Sequence, residues 1–192
     1  MIESLQALQG VRILSLALNL PGPAALTRLN QMGATCLKLE PPSGDPMAQY
    51  SVLAYEKLHD GIEKRTVDLK TEVGQQLLRH ELAQANVLIT SFRPSALVKL
   101  GLSWPVLQAK YPKLSQIAIF GAFGERAEEP GHDLTYQAEN DLISGLALPA
   151  TLYADMSGAL MTCEAVLQAV LHQRSEGYGV YLEGALSSAL GF

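Results

Sequence analysis

Two short stretches of this 192-residue chain hold side chains able to move a proton or attack a carbonyl. Gly131-His132-Asp133 opens a helix after an acidic loop, and Ala154-Asp155-Met156-Ser157-Gly158 opens a longer one. An imidazole exchanges its proton near neutral pH. A carboxylate at a pocket mouth can serve as a nucleophile or as an acid and base. Each position also has a purely structural alternative. A carboxylate in the first turn of a helix complements the positive helix end, and Asp155 fits that role. A histidine at a helix start is commonly structural too, and the spacing of His132 and Asp155 does not by itself bring them together. His59, His80 and His172 are scattered, and Cys36 and Cys163 lack metal-ligand spacing. Neither a metal site nor a disulfide framework is expected.

The elements that would position these groups alternate. Val11 to Leu20 is mostly aliphatic and closed by Pro21-Gly22-Pro23, which suits a strand buried on both faces. Ala24 to Met32 reads as a helix ending at Gly33, and Ala34 to Glu40 as the next strand, stopped by Pro41-Pro42-Ser43-Gly44-Asp45-Pro46. This is a βαβ unit, whose right-handed crossover makes the strands parallel. Thr71 to Ala85 reads as a helix with Thr71 as N-cap. Asn86 to Ser91 and Leu114 to Phe120 read as strands, with short helices at Pro94–Leu100 and Trp104–Lys110 between them. From about His132 the texture turns helical. In Asp155 to Arg174, the residues Met156, Ala159, Leu160, Cys163, Val166, Leu167, Val170 and Leu171 recur at helical spacing as an expected core face. Val180 to Leu182 is a last short strand. The whole, residues 1–192, reads as one α/β domain: a sheet-forming part to about 130, then a helical part over about 131–192.

Ligands of open α/β sheets sit at the carboxyl ends of the strands. Those ends are Leu20-Pro21-Gly22-Pro23, the Glu40–Asp45 turn, Ser91-Phe92-Arg93-Pro94 and Gly121-Ala122-Phe123-Gly124. None is a G-x-G-x-x-G or a P-loop, so the commonest nucleotide fingerprints are missing, and ordinary βα turns remain the alternative.

Composition narrows the function classes. The residues are 48% hydrophobic and 17% charged, which excludes intrinsic disorder. The net charge is −5, with no local basic cluster, so nucleic acid is not an expected partner. The opening residues Met1–Ser4 lack the pattern of a signal peptide, and no stretch suits a bilayer, Val166 to Leu171 being interrupted by Gln168. No membrane association and a cytoplasmic location are expected.

Read in order, the motifs resemble those of the family III CoA-transferases, the CaiB/BaiF group that includes the α-methylacyl-CoA racemases. They are Leu8-Gln9-Gly10-Val11-Arg12-Ile13-Leu14, Gly22-Pro23, Lys38-Leu39-Glu40-Pro41-Pro42, Gly44-Asp45-Pro46, Val67-Asp68-Leu69-Lys70, Phe92-Arg93-Pro94, Gly131-His132-Asp133-Leu134 and Ala154-Asp155. The resemblance runs along essentially the whole chain but matches only the N-terminal half of the family. It implies a Rossmann-like, mostly parallel sheet with helices on both faces. It also implies acyl-CoA as substrate, no covalently bound cofactor, and a homodimer or a partner chain supplying the missing C-terminal half. In the transferases the aspartate matching Asp155 attacks the acyl-CoA carbonyl. In the racemases the residues matching His132 and Asp155 exchange the proton next to it. The matching CoA-binding positions are Gly22, Pro23, Pro42, Phe92 and Arg93.

The chain departs from the family at a basic turn that helps hold CoA. Here it reads His59-Asp60-Gly61-Ile62-Glu63, leaving Lys64 and Arg65 just beyond as substitutes. Ser15 replaces an aspartate of the first strand, and the loop from Leu146 to Tyr153 is short. The implied function is movement of CoA between carboxylic acids through an aspartyl intermediate, or racemisation of an acyl-CoA α-carbon. The alternative is a truncated, catalytically weak or dead member acting as a subunit or binding partner.

Overall fold

The structure is a computed structural model, and it describes residues 5–191. The reading of Met1–Ser4 as no signal peptide lies outside the described residues. Six strands form one sheet: β1 (Arg12–Ser15), β2 (Thr35–Glu40), β3 (Glu63–Thr66), β4 (Val87–Thr90), β5 (Ser115–Phe120) and β6 (Tyr181–Ala185). Their order is β3-β2-β1-β4-β5-β6, and every neighbouring pair is parallel. The order reverses between β1 and β4, and at such a reversal the two flanking loops diverge and leave a crevice.

Helices cover both faces. On one face lie α1 (Pro21–Gln31) and α8 (Tyr153–Glu176), packed on Ile13, Cys36, Ile89 and Ile117. On the other lie α4 (Glu72–Leu82), α5 (Pro94–Lys99) and α6 (Trp104–Lys110), packed on Leu14, Leu37, Leu88 and Ala118. Adjacent strand residues thus feed opposite cores, as the two-residue period of a strand requires. Three shorter α-helices, α2 (Met47–Tyr50), α3 (Val52–Leu58) and α7 (Asp133–Glu139), and a 3-10 turn at Gly124–Glu128 complete the described residues. Thr71 caps α4 as expected, its hydroxyl accepting from the Gly74 amide at 3.0 Å.

Two local readings are corrected, and one stretch that the sequence left unassigned is filled in. The first strand ends at Ser15, not near Leu20. After Leu16 bonds Ile89, the backbone leaves the ladder and turns through Asn19, whose φ of 64° is left-handed. Second, residues 47–66 hold α2, α3 and β3, which carry little apolar periodicity. β3 reads Glu-Lys-Arg-Thr, a charged edge strand of the kind that resists further pairing. Third, the core face of α8 is built from small residues: Ala154, Gly158, Ala159, Thr162, Cys163, Val166, Ala169 and Val170. Met156, Leu160 and Leu171 are 49%, 53% and 64% exposed. Close packing selects the small face. A Cβ on Gly158 would stand 2.2 Å from Leu186 Cδ2, and Cys163 Sγ reaches the Ala25 carbonyl of α1 at 3.6 Å.

Candidate active site

Two cavities open at the carboxyl ends of the strands, on either side of a shared wall. The first, about 170 Å³, is lined by Leu18, Asn19, Ser91, Arg93, Gly121, His132, Tyr136 and Asp155, among others. Its loops follow β1, β4 and β5, so it lies at the reversal of strand order. The second, about 510 Å³, is lined by Leu20, Met47, Tyr50, Ser51, Ala54, Asp133 and Leu152. Asn19, His132 and Asp155 border both. The structure therefore brings together the two residues that sequence spacing left apart.

The β5–β6 crossover carries both. His132 precedes α7, and its carbonyl accepts from the Thr135 amide at 2.8 Å while its imidazole-bearing residue stays exposed. Asp133, buried directly after it, reaches across to α8. Its Oδ1 accepts from the Asp155 amide at 2.9 Å, satisfying a first-turn N–H that the helix cannot. Gln137, one turn on, donates to Asp133 Oδ2 and, at 3.1 Å, to the Thr151 carbonyl. Tyr136 fills the space beside Gly121 and Gly131, where a Cβ would lie 2.2 and 2.4 Å from its hydroxyl.

Asp155 is not a plain helix-start carboxylate. Burial, and then the neighbouring Asp133 charge, raise its pKa to about 7. Both causes disfavour the anion. A carboxyl poised near neutrality can take up and return a proton at cellular pH. Burial, and then the charge of Asp155, also raise the pKa of Tyr136.

The other sequence candidates separate. Arg93 borders the first cavity, whereas Phe92 and Pro42 border a third, apolar groove of about 170 Å³. That groove runs along Leu16, Leu39, Val67 and Leu69, with Lys70 as its cation, and Asp68 and Glu40 as its acids. Gly22 and Pro23 are buried in the first turn of α1 and border none of these cavities. A Cβ on Gly22 would stand 2.3 Å from that of Ala17, so the glycine serves close packing. Pro21 and Pro23 also remove N–H groups from that helix end, leaving it a poor anion site. The wall residues from this loop are Asn19, Leu20 and Pro21.

Lys64 and Arg65 lie within β3 rather than beyond its carboxyl end. Lys64 pairs with Glu56 at 3.3 Å and lies 4.3 Å from the Tyr55 ring centroid. Arg65 pairs with Glu63 and Glu81 at 2.6 and 2.9 Å, beside a small cleft lined by Arg12 and Thr35. Gly61 of the altered turn faces Asn30 of α1, near the amino ends of the strands.

A model of CoA-transferase family III matches residues 8–190. The chain belongs to that family. It is 29% identical to the cinnamoyl-CoA:phenyllactate CoA-transferase of Clostridium sporogenes, over 92% of this chain and 52% of that protein. It is 27% identical to human alpha-methylacyl-CoA racemase, over 92% and 47%. A CAIB/BAIF family protein from Brucella suis superposes with a TM-score of 0.86 at 28% identity, covering 95% of this chain and 53% of that one. The chain spans about half the length of the curated relatives it matches. Among the described residues no helix is long and apolar enough to cross a membrane.

Sequence reasoning did not single out Asn19, Asp133 or Lys70, which the fold places on the walls of these cavities. The Asp133/Gln137 spacing of one helical turn was a usable signal. Asn19 carried none, because its backbone conformation depends on a residue distant in sequence.

Proposed function

We propose that this family III chain handles an acyl-CoA thioester at the wall shared by its two strand-end cavities. The observation that carries this is the meeting of His132 with Asp155, whose carboxyl is lifted to about 7, at the reversal of strand order. In the transferase reaction the Asp155 carboxylate attacks the thioester carbonyl, the C–S bond breaks, and CoA leaves as the thiolate. The mixed anhydride is then attacked by that thiolate at the aspartyl carbonyl, freeing the first acid and giving an aspartyl-CoA thioester. A second carboxylate repeats the exchange and departs as its CoA thioester, restoring Asp155. A desolvated carboxylate is the stronger nucleophile for the first step. Arg93 at the mouth of the first cavity supplies the positive charge that an entering acid needs. Phe92, Pro42 and Lys70 line a groove suited to the flat and anionic parts of CoA.

A second chemistry shares the geometry. With His132 and Asp155 bordering the same space, a proton can leave the α-carbon toward one and return from the other. Incubation with an acyl-CoA in D₂O separates the two. Deuterium at the α-carbon, lost in His132→Ala, marks racemisation. Borohydride-trapped modification of Asp155, retained in His132→Ala, marks transfer. Neither signal, with no acyl-CoA binding, would leave the binding-subunit reading, which the acidic turn at Asp60 and the engaged Lys64 and Arg65 favour.

The large apolar residues outside the core, Leu146, Leu148, Leu152, Tyr153, Met156 and Leu160, form an exposed run leading to the site. Such surface is seldom left to water. We infer that a second polypeptide, first of all another copy of this chain, covers it.

A further inference from the structure

A charged cluster lies buried beneath the Asn19 wall, apart from His132 and Asp155, and only its Glu40 also borders the apolar groove. Lys38 of β2 is fully buried, and its ammonium has three acceptors. They are Asp45 Oδ2 at 2.5 Å, Glu40 Oε1 at 3.0 Å and His59 Nε2 at 2.9 Å. His59 Nδ1 stands 2.7 Å from the Tyr55 carbonyl, which only accepts, so Nδ1 carries the proton and Nε2 receives the lysine's. Burial lowers the pKa of His59, in keeping with a neutral ring. Tyr55 donates to Glu40 Oε1 at 2.8 Å. The Glu40, Asp45 and His59 ligand atoms lie within 4.8 Å of one another, a spacing that suits a metal ion, and the Lys38 ammonium takes the cation's place.

Burying such a cluster confers no assured stability over well-packed apolar residues. Its consequence shows at the other oxygen of Asp45. Oδ1 accepts from the Asn19 amide at 3.0 Å and from the Met47 amide at 2.9 Å. Asn19 is the left-handed residue bordering both cavities, and Met47 borders the larger. One carboxylate thus joins the loop after β1 to the loop after β2, and the lysine holds that carboxylate in place.

We propose that Lys38 is a positioning residue that acts through Asp45 to set the Asn19 and Met47 walls around Asp155. Its effect on ligand binding rests on the acyl-CoA reading of the site, but its effect on the walls does not. Amide hydrogen exchange on the full chain tests it, with Lys38→Met as the first variant and Asp45→Asn as a shape-preserving second. Exchange at the Asn19 and Met47 amides should speed up by at least ~10-fold, while Ile89 and Ile117 in the central strands stay protected. Butyryl-CoA affinity, if the native chain binds that probe, should weaken by at least ~10-fold in the same variants. Unchanged Asn19 and Met47 exchange in the folded variants overturns the proposal. So does an equal loss at Ile89 and Ile117, which would mark a merely structural pair. If the native chain fails to bind butyryl-CoA, the acyl-CoA reading falls, and the exchange pattern alone still decides for or against Lys38.

Discussion

Asp155 and Asp133 show how two carboxylates in one site divide the work. Asp133 accepts the Asp155 amide and so fixes the helix start, while its charge and the surrounding burial keep Asp155 protonated to higher pH. Burial is the larger cause, so Asp133→Asn should lower the Asp155 midpoint from about 7 by less than half of the rise, as read by carboxyl NMR titration. The sign for stability follows from linkage. A carboxyl whose pKa is higher folded than unfolded binds more protons in the native state. Its contribution to stability is present below the unfolded value of about 4 and is lost as pH rises through about 7. Asp155→Asn should therefore flatten that decline, and urea midpoints at pH 8 should lie above those of the native chain. The same substitution should cut turnover by at least roughly 10²-fold in an acyl-CoA assay. A variant more stable at alkaline pH and nearly inactive is the outcome that the role proposed for Asp155 requires.

At the scale of elements, the site depends on how tightly α1 and α8 approach the sheet and each other. Gly22 sets α1 against the loop after β1, and no side chain can enter there without moving Ala17. Gly22→Ala should cost about 1–3 kcal/mol in urea unfolding through overpacking. Because the displaced loop carries Asn19, acyl-CoA affinity should fall with it. α8 does the converse on its outer side. Small residues face the core, and Met156 and Leu160 face outward beside the site.

For the molecule as a whole, the −5 net charge favours solubility while the outward apolar run favours association. The native chain should scatter light as a species larger than a monomer at micromolar concentration. Met156→Glu with Leu160→Glu should shift it toward the monomer without changing its circular dichroism. A monodisperse native monomer would count against the second polypeptide.

The parallel α/β order was legible because buried strands such as Leu114–Phe120 are continuous apolar runs and the helices between them carry caps such as Thr71. His132 and Asp155 were visible as reactive types at helix starts. Their meeting was not, since it depends on the β5–β6 crossover folding back and on Asp133 joining α7 to α8. Helical periodicity showed that the long helix was apolar, but both of its faces are. Only packing against α1 and Leu186 selected the small face for the core and turned Met156 outward. Lys64 and Arg65 looked available because sequence shows charge without partners. In the fold, Glu56, Glu63 and Glu81 engage them. The burial of Lys38 was least legible of all. A lysine in a strand ordinarily reads as solvent-facing, and it becomes a core residue only when Glu40, Asp45 and His59 converge on its ammonium.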